Sequence, residues 1–103
     1  MKVIEPKQYY YSNELIDCNL LDLYVSDNLK GSANIHLTFY TLVNDFAKQV
    51  YSYSVKLDGA DYLEYNTITL NGNDFIIDYV NKKANIKIIG EYVKPVKQFK
   101  PTI

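Results

Sequence analysis

ANIHLTFYTLV (residues 33–43) carries the clearest structural signal in the chain. Ile35, Leu37 and Phe39 fall on one side of an extended backbone, and His36, Thr38, Tyr40 and Leu42 on the other, a period of two that marks a β-strand. Both sides carry apolar groups, so the pattern predicts a central strand. Downstream, KQVYSYSVKL (48–57) alternates more cleanly, with Tyr51, Tyr53, Val55 and Leu57 opposed to Ser52, Ser54 and Lys56; one face of that strand is expected to meet water.

Upstream, ELIDCNLLDLYV (14–25) alternates but changes phase at Leu20 and Leu21, as a β-bulge would make it do. The connections SDNLKGSAN and NDFAK are rich in the Asp, Asn, Ser and Gly that turns require. A three-stranded antiparallel meander is the simplest arrangement.

The second half changes period. GADYLEYN (59–66) reads as a turn or a single helical turn, followed by the short apolar TITL and a break at Asn71-Gly72. In NDFIIDYVNKKAN, the residues Phe75, Ile76, Tyr79, Val80 and Lys83 form one stripe of a helix near 74–84. Asn73 can cap its start, Asp74 and Asp78 suit the positive end, Lys82 and Lys83 the negative end, and Asn85 can take the left-handed conformation that stops it. IKII (86–89) gives a last short strand. The expected fold is a single α+β domain over 1–103. It comprises a body over 12–90 with a mainly antiparallel sheet and one C-terminal helix, an extended N-terminal arm over 1–11 and a second arm over 91–103.

Composition narrows the function classes. A net charge of −1 provides no general field for nucleic acid or an anionic membrane, and the basic residues are all lysine, so the bidentate guanidinium fork is missing. One cysteine, Cys18, allows no internal disulfide and no multi-thiolate metal site. With one histidine, His36, and no arginine, the usual bases, nucleophiles and oxyanion partners are scarce, so the chain is not expected to be an enzyme. Asp58, Asp61, Glu64, Asp74 and Asp78 concentrate negative charge, but LDGADYLE and LNGNDF contain only fragments of a calcium loop. No cofactor is expected. No apolar run is long enough to be a secretory signal core or a membrane span, so a membrane is not an expected partner and synthesis in a cytoplasm is.

Eleven tyrosines suggest two uses. Tyr40, Tyr51 and Tyr53 could form a platform that stacks the bases of a single strand, although the acidic middle of the chain argues against nucleic acid as the partner. Tyrosine also suits strands and protein interfaces, where it gives large contact area at low entropic cost.

EYVKPVKQFKPTI (91–103) points to the second use. Ordering its backbone costs about 1–2 kcal/mol per residue, and burying its few apolar side chains at about 1.5–3 kcal/mol each does not match that. A neighbouring molecule is therefore the expected source of its order, with Tyr92, Val96, Phe99 and Ile103 as anchors and Lys94, Lys97 and Lys100 as steering charges. Wrapping onto its own domain is the alternative.

VKLDGADYLEYN (55–66) followed by NDFIIDYVNKKANIKII (73–89) resembles small virion-associated proteins of tailed bacteriophages, the crAss-like group included, at Gly59, Asp61, Tyr62, Tyr79, Val80 and Asn85. The resemblance implies a structural virion component, an auxiliary capsid or tail protein made in the bacterial host. Its partners would be the major capsid or tail protein and other copies of itself. It transfers no catalytic motif. A single-strand nucleic-acid-binding module is the alternative expectation.

Overall fold

The computed structural model describes residues 1–67 and 72–93. Its elements run β1 (Lys2–Tyr11), β2 (Glu14–Asp27), β3 (Ser32–Val43), β4 (Phe46–Asp58), α1 (Gly59–Thr67), α2 (Gly72–Lys83) and β5 (Ile88–Glu91). The strands form one antiparallel sheet in the order β4-β3-β2-β1-β5. The mainly β, α+β expectation holds, and β3 lies between two partners as its two-sided pattern requires.

Two expectations are corrected. Residues 2–11, read as an arm, form a strand paired with β2 on one side and β5 on the other. Tyr9 and Ile4 explain this: Ile4 is buried in the core and Tyr9 packs against it, so the segment has apolar surface to place. There are also two helices and not one. Residues 59–67 continue beyond a single turn because Tyr62 inserts into the core, only 4% exposed, and its hydroxyl donates to Asp27 Oδ1 at 2.7 Å. Gly59, at φ 59°, turns the chain from strand to helix in the left-handed region that suits glycine.

Two of the three hairpins among the first four strands close with two left-handed residues, Ser12-Asn13 (φ 48° and 66°) and Asn44-Asp45 (φ 50° and 67°). That is the turn geometry matching the right-handed twist of paired strands. The irregularity expected at Leu20-Leu21 falls on the neighbouring strands. β1 slips register between Val3 and Lys7 opposite Leu20 and Cys18, and β4 carries an extra residue, Val50, where Phe39 pairs Tyr51 and Tyr40 pairs Gln49. Leu20 and Leu21 are both buried, on opposite faces, Leu21 in the main core and Leu20 outside it beside Tyr40.

The main core lies on the face bearing Ala33, Ile35, Leu37, Phe39 and Leu57. Ile76 and Val80 of α2 and Tyr62 of α1 cover part of it, while Phe75 and Tyr79 lie half-buried at its edge. Asn85 stops α2 in the expected left-handed conformation, φ 52°. The other part of this face is closed by the β1–β2 hairpin itself: the Tyr9 ring centroid lies 4.6 Å from Phe39 and 4.7 Å from Tyr51.

Candidate interaction surfaces

Of the side chains expected to bind a partner, Tyr92 is described; Lys94, Val96, Lys97, Phe99, Lys100 and Ile103 lie outside the described residues. Tyr92 continues the β5 pairing by one step, its amide donating to the Met1 carbonyl at 3.0 Å. Its half-buried side chain lies in a hollow with Met1, Asp45, Phe46 and Ala47, beside the β3–β4 turn. Glu91 is held by Lys2 of β1, so its charge is answered inside the body and does not offset the lysines that follow it.

The three tyrosines considered as a base platform are not assembled. Tyr51 and Tyr53 pair with Phe39 and Leu37 and lie with them on the core side, whereas Tyr40, next to Phe39 along β3, points to the opposite face. Tyr51 and Tyr53 join Tyr9 and Phe39 in one cluster, centroids 4.6–5.8 Å apart. Burial raises the Tyr9 hydroxyl pKa well above the ordinary tyrosine value, with the neighbouring Tyr53 adding to the effect. Burial does the same for Tyr53. Tyr40 is raised by burial and then by the Asp22 carboxylate. These rings are packing elements whose hydroxyls stay protonated at neutral pH.

Cys18 is fully buried, and burial followed by the charge of Asp17 raises its pKa, so it behaves as a small apolar residue with its Sγ 3.8 Å from the Ile16 carbonyl. His36 stacks on Tyr24 at 4.5 Å and shares a 2.9 Å hydrogen bond with Ser54 Oγ on the outer face of the sheet. Among the described residues no group of three His, Cys, Asp or Glu side chains could hold a metal ion, and no helix is long and apolar enough to cross a membrane.

What the fold does gather is apolar surface at one end. Lys48 sits 4.3 Å over the Tyr11 ring, so the β1–β2 and β3–β4 hairpin ends lie together. There Tyr10 and Phe46 are each 72% exposed, with Leu15, Leu42 and Val43 exposed nearby along the same hairpins. Sequence reading missed this patch because it treated residues 1–11 as an arm and NDFAK as a loop; the signal was the pair of two-residue turns, which place the flanking Tyr11, Val43 and Phe46 on rigid strand ends.

A second feature is the β2–β3 loop. Asp27 Oδ1 accepts from Leu29 N at 2.9 Å, and Asn28 Oδ1 accepts from Lys30 N and Ser32 N at 2.7 and 3.2 Å. Leu29, 85% exposed at φ 59°, is held out to solvent in a conformation unfavourable for its side chain.

The acidic residues end up at the opposite, helical end. Asp58 pairs with Lys56 at 3.8 Å, and Tyr79 donates to the Lys56 carbonyl at 2.9 Å. The Tyr79 pKa is raised by burial and then by Asp61 and Asp58. In comparisons with known proteins, no family model, no curated protein and no solved structure matches the chain.

Proposed function

We propose that this chain is a structural protein that works by binding other proteins, an auxiliary virion component of a tailed bacteriophage that binds and stabilises the major shell or tail protein. Residues 91–103 supply the partner-binding side chains Tyr92, Lys94, Val96, Lys97, Phe99, Lys100 and Ile103. Copies of the chain itself are further partners. The observation that supports the reading best is the apolar patch at the paired hairpin ends. Tyr10, Leu15, Leu42, Val43 and Phe46 stand exposed on ordered strand ends, and clustered exposed apolar groups of this kind mark interaction sites. Tyr92 shares a hollow with Phe46 at the edge of that patch. Partner binding would then draw on exposed apolar side chains at that end of the sheet, by contact area and not by chemistry. The assignment to a virion rests on the resemblance carried by residues 55–66 and 73–89.

Deleting residues 94–103 tests the proposal while leaving the Glu91 and Tyr92 contacts in place. Co-purification of the chain with the shell or tail protein is expected to fall by about tenfold or more, with the circular dichroism spectrum unchanged. Undiminished co-purification would refute it.

A further inference from the structure

Tyr9 of the first hairpin and Tyr51 of β4 meet face to face. Their ring centroids are 4.7 Å apart and their planes 13° from parallel, so carbon atoms of one ring touch carbon atoms of the other. Tyr51 and Tyr53 also neighbour each other, but at 5.7 Å and 47° they are more distant and tilted, and both stand on β4. Phe39, the other ring against Tyr9, has no hydroxyl. Tyr51 is 43% exposed, so its phenol reaches solvent. Tyr10 and Tyr24 are more exposed, yet neither faces a second tyrosine ring among the described residues.

We propose that Tyr9 and Tyr51 form a dityrosine modification site, joined through ring carbons ortho to their hydroxyls by hydrogen peroxide acting through a haem peroxidase. Tyr51 reacts first, at the surface: its phenol gives one electron to the oxidant and its proton to water. Tyr9 loses an electron and a proton in the same way. The two phenoxyl radicals then pair their unpaired electrons in one carbon–carbon bond between the rings. The hydrogen on each joined carbon shifts to the adjacent oxygen, which restores both aromatic rings and both hydroxyls. The chain has lost two hydrogen atoms, and the peroxide takes up the two electrons and two protons to become two waters.

Proximity selects this pair. Two rings already held in contact couple within one molecule, whereas a radical at Tyr10 or Tyr24 has to meet a second molecule first. Near-parallel overlap sets ring carbon over ring carbon, which the tilted Tyr51 and Tyr53 do not offer. The bond closes a loop that contains all of β2 and β3. A covalent link across a long loop stabilises the fold by restricting the unfolded chain, and a disulfide cannot do this here because Cys18 is the one cysteine. The link also fastens together the hairpin ends that carry the exposed Tyr10 and Phe46. It requires no partner protein and is independent of what residues 91–103 bind.

The test treats the dilute full-length chain with hydrogen peroxide and a haem peroxidase. Dityrosine fluorescence, a denaturing gel, intact mass and peptide mapping follow the product. The expected product runs as a single chain, is lighter by two hydrogen atoms and yields one joined peptide pair containing Tyr9 and Tyr51. Its urea midpoint lies above that of the untreated chain. Tyr9→Phe and Tyr51→Phe each keep the ring and remove the phenol, so either should abolish this product, with circular dichroism showing that the variants remain folded. Tyr53→Phe and Tyr24→Phe should leave it intact. Dityrosine found only in products of two or more chains, a joined pair that excludes Tyr9 or Tyr51, or no dityrosine at all would overturn the assignment. So would a single-chain product that survives Tyr51→Phe.

Discussion

Replacing Tyr9 and Tyr51 by alanine, singly and together, examines how the sheet closes on itself. Tyr9 belongs to the first hairpin and packs on Phe39 and Tyr51 of the second, its ring 4.7 Å from and nearly parallel to that of Tyr51. Fully buried aromatic rings lose about 3–5 kcal/mol on truncation to alanine. Tyr9 is half-buried, so Tyr9→Ala is expected to cost about 2–3 kcal/mol; Tyr51, 43% exposed, about 1–2 kcal/mol. Against a total stability of about 5–15 kcal/mol, each variant remains folded and measurable. The two rings touch, so the double variant should lose less than the sum of the singles, by about 0.5–1.5 kcal/mol of stacking that either truncation already removes. Urea denaturation followed by circular dichroism, with the denaturant slope unchanged across the set, provides the cycle. Additivity within about 0.3 kcal/mol would mean that the hairpins do not close over each other.

Tyr62→Phe removes a hydrogen bond from a buried hydroxyl to Asp27, whose same oxygen also orders the β2–β3 loop. A loss of about 1–2 kcal/mol in urea denaturation is expected. Leu29→Asn relieves a left-handed conformation at an exposed site and should raise stability by about 0.5–1 kcal/mol, read as an upward shift in Tm. At high pH the hydroxyls of Tyr9, Tyr40, Tyr53, Tyr62 and Tyr79 all titrate above the ordinary tyrosine value of 10.0 in the folded chain. Their raised values favour the protonated form in the folded state, so their stabilising contribution is complete below about pH 10 and is lost as the pH rises through the folded-state values. Tyrosinate absorbance from these five hydroxyls should appear together with loss of the circular dichroism signal.

Strand periodicity exposed β3 and β4 in the sequence because both alternate over many residues with one face in the core. Four agreeing signals located α2: the stripe with Ile76 and Val80, the Asp74 end, the Lys82-Lys83 end and the Asn85 stop. Residues 2–11 were harder. Val-Ile-Glu-Pro-Lys-Gln alternates poorly around Pro6, and its apolar neighbours on β2 and β4 are far away in sequence, so only the tertiary fold shows that Ile4 and Tyr9 are needed there. α1 escaped for a related reason: GADYLEYN has little apolar periodicity, and a single residue, Tyr62, anchors it by reaching the core and Asp27. The tyrosine platform failed through strand alternation. Tyr51 and Tyr53 pair with Phe39 and Leu37, and Tyr40, the neighbour of Phe39 along β3, faces the other way. Turn chemistry was visible in Ser12-Asn13 and Asn44-Asp45, but the apolar patch they build depends on two hairpins meeting, which no local pattern encodes.

The most direct measurement of the proposed role places a photo-crosslinking analogue of phenylalanine at position 99 of the full-length chain and irradiates cells assembling particles. The expected result is a covalent product joining residue 99 to a different polypeptide, a shell or tail protein or a second copy of the chain. Recovery of crosslinks only within a single copy would contradict it.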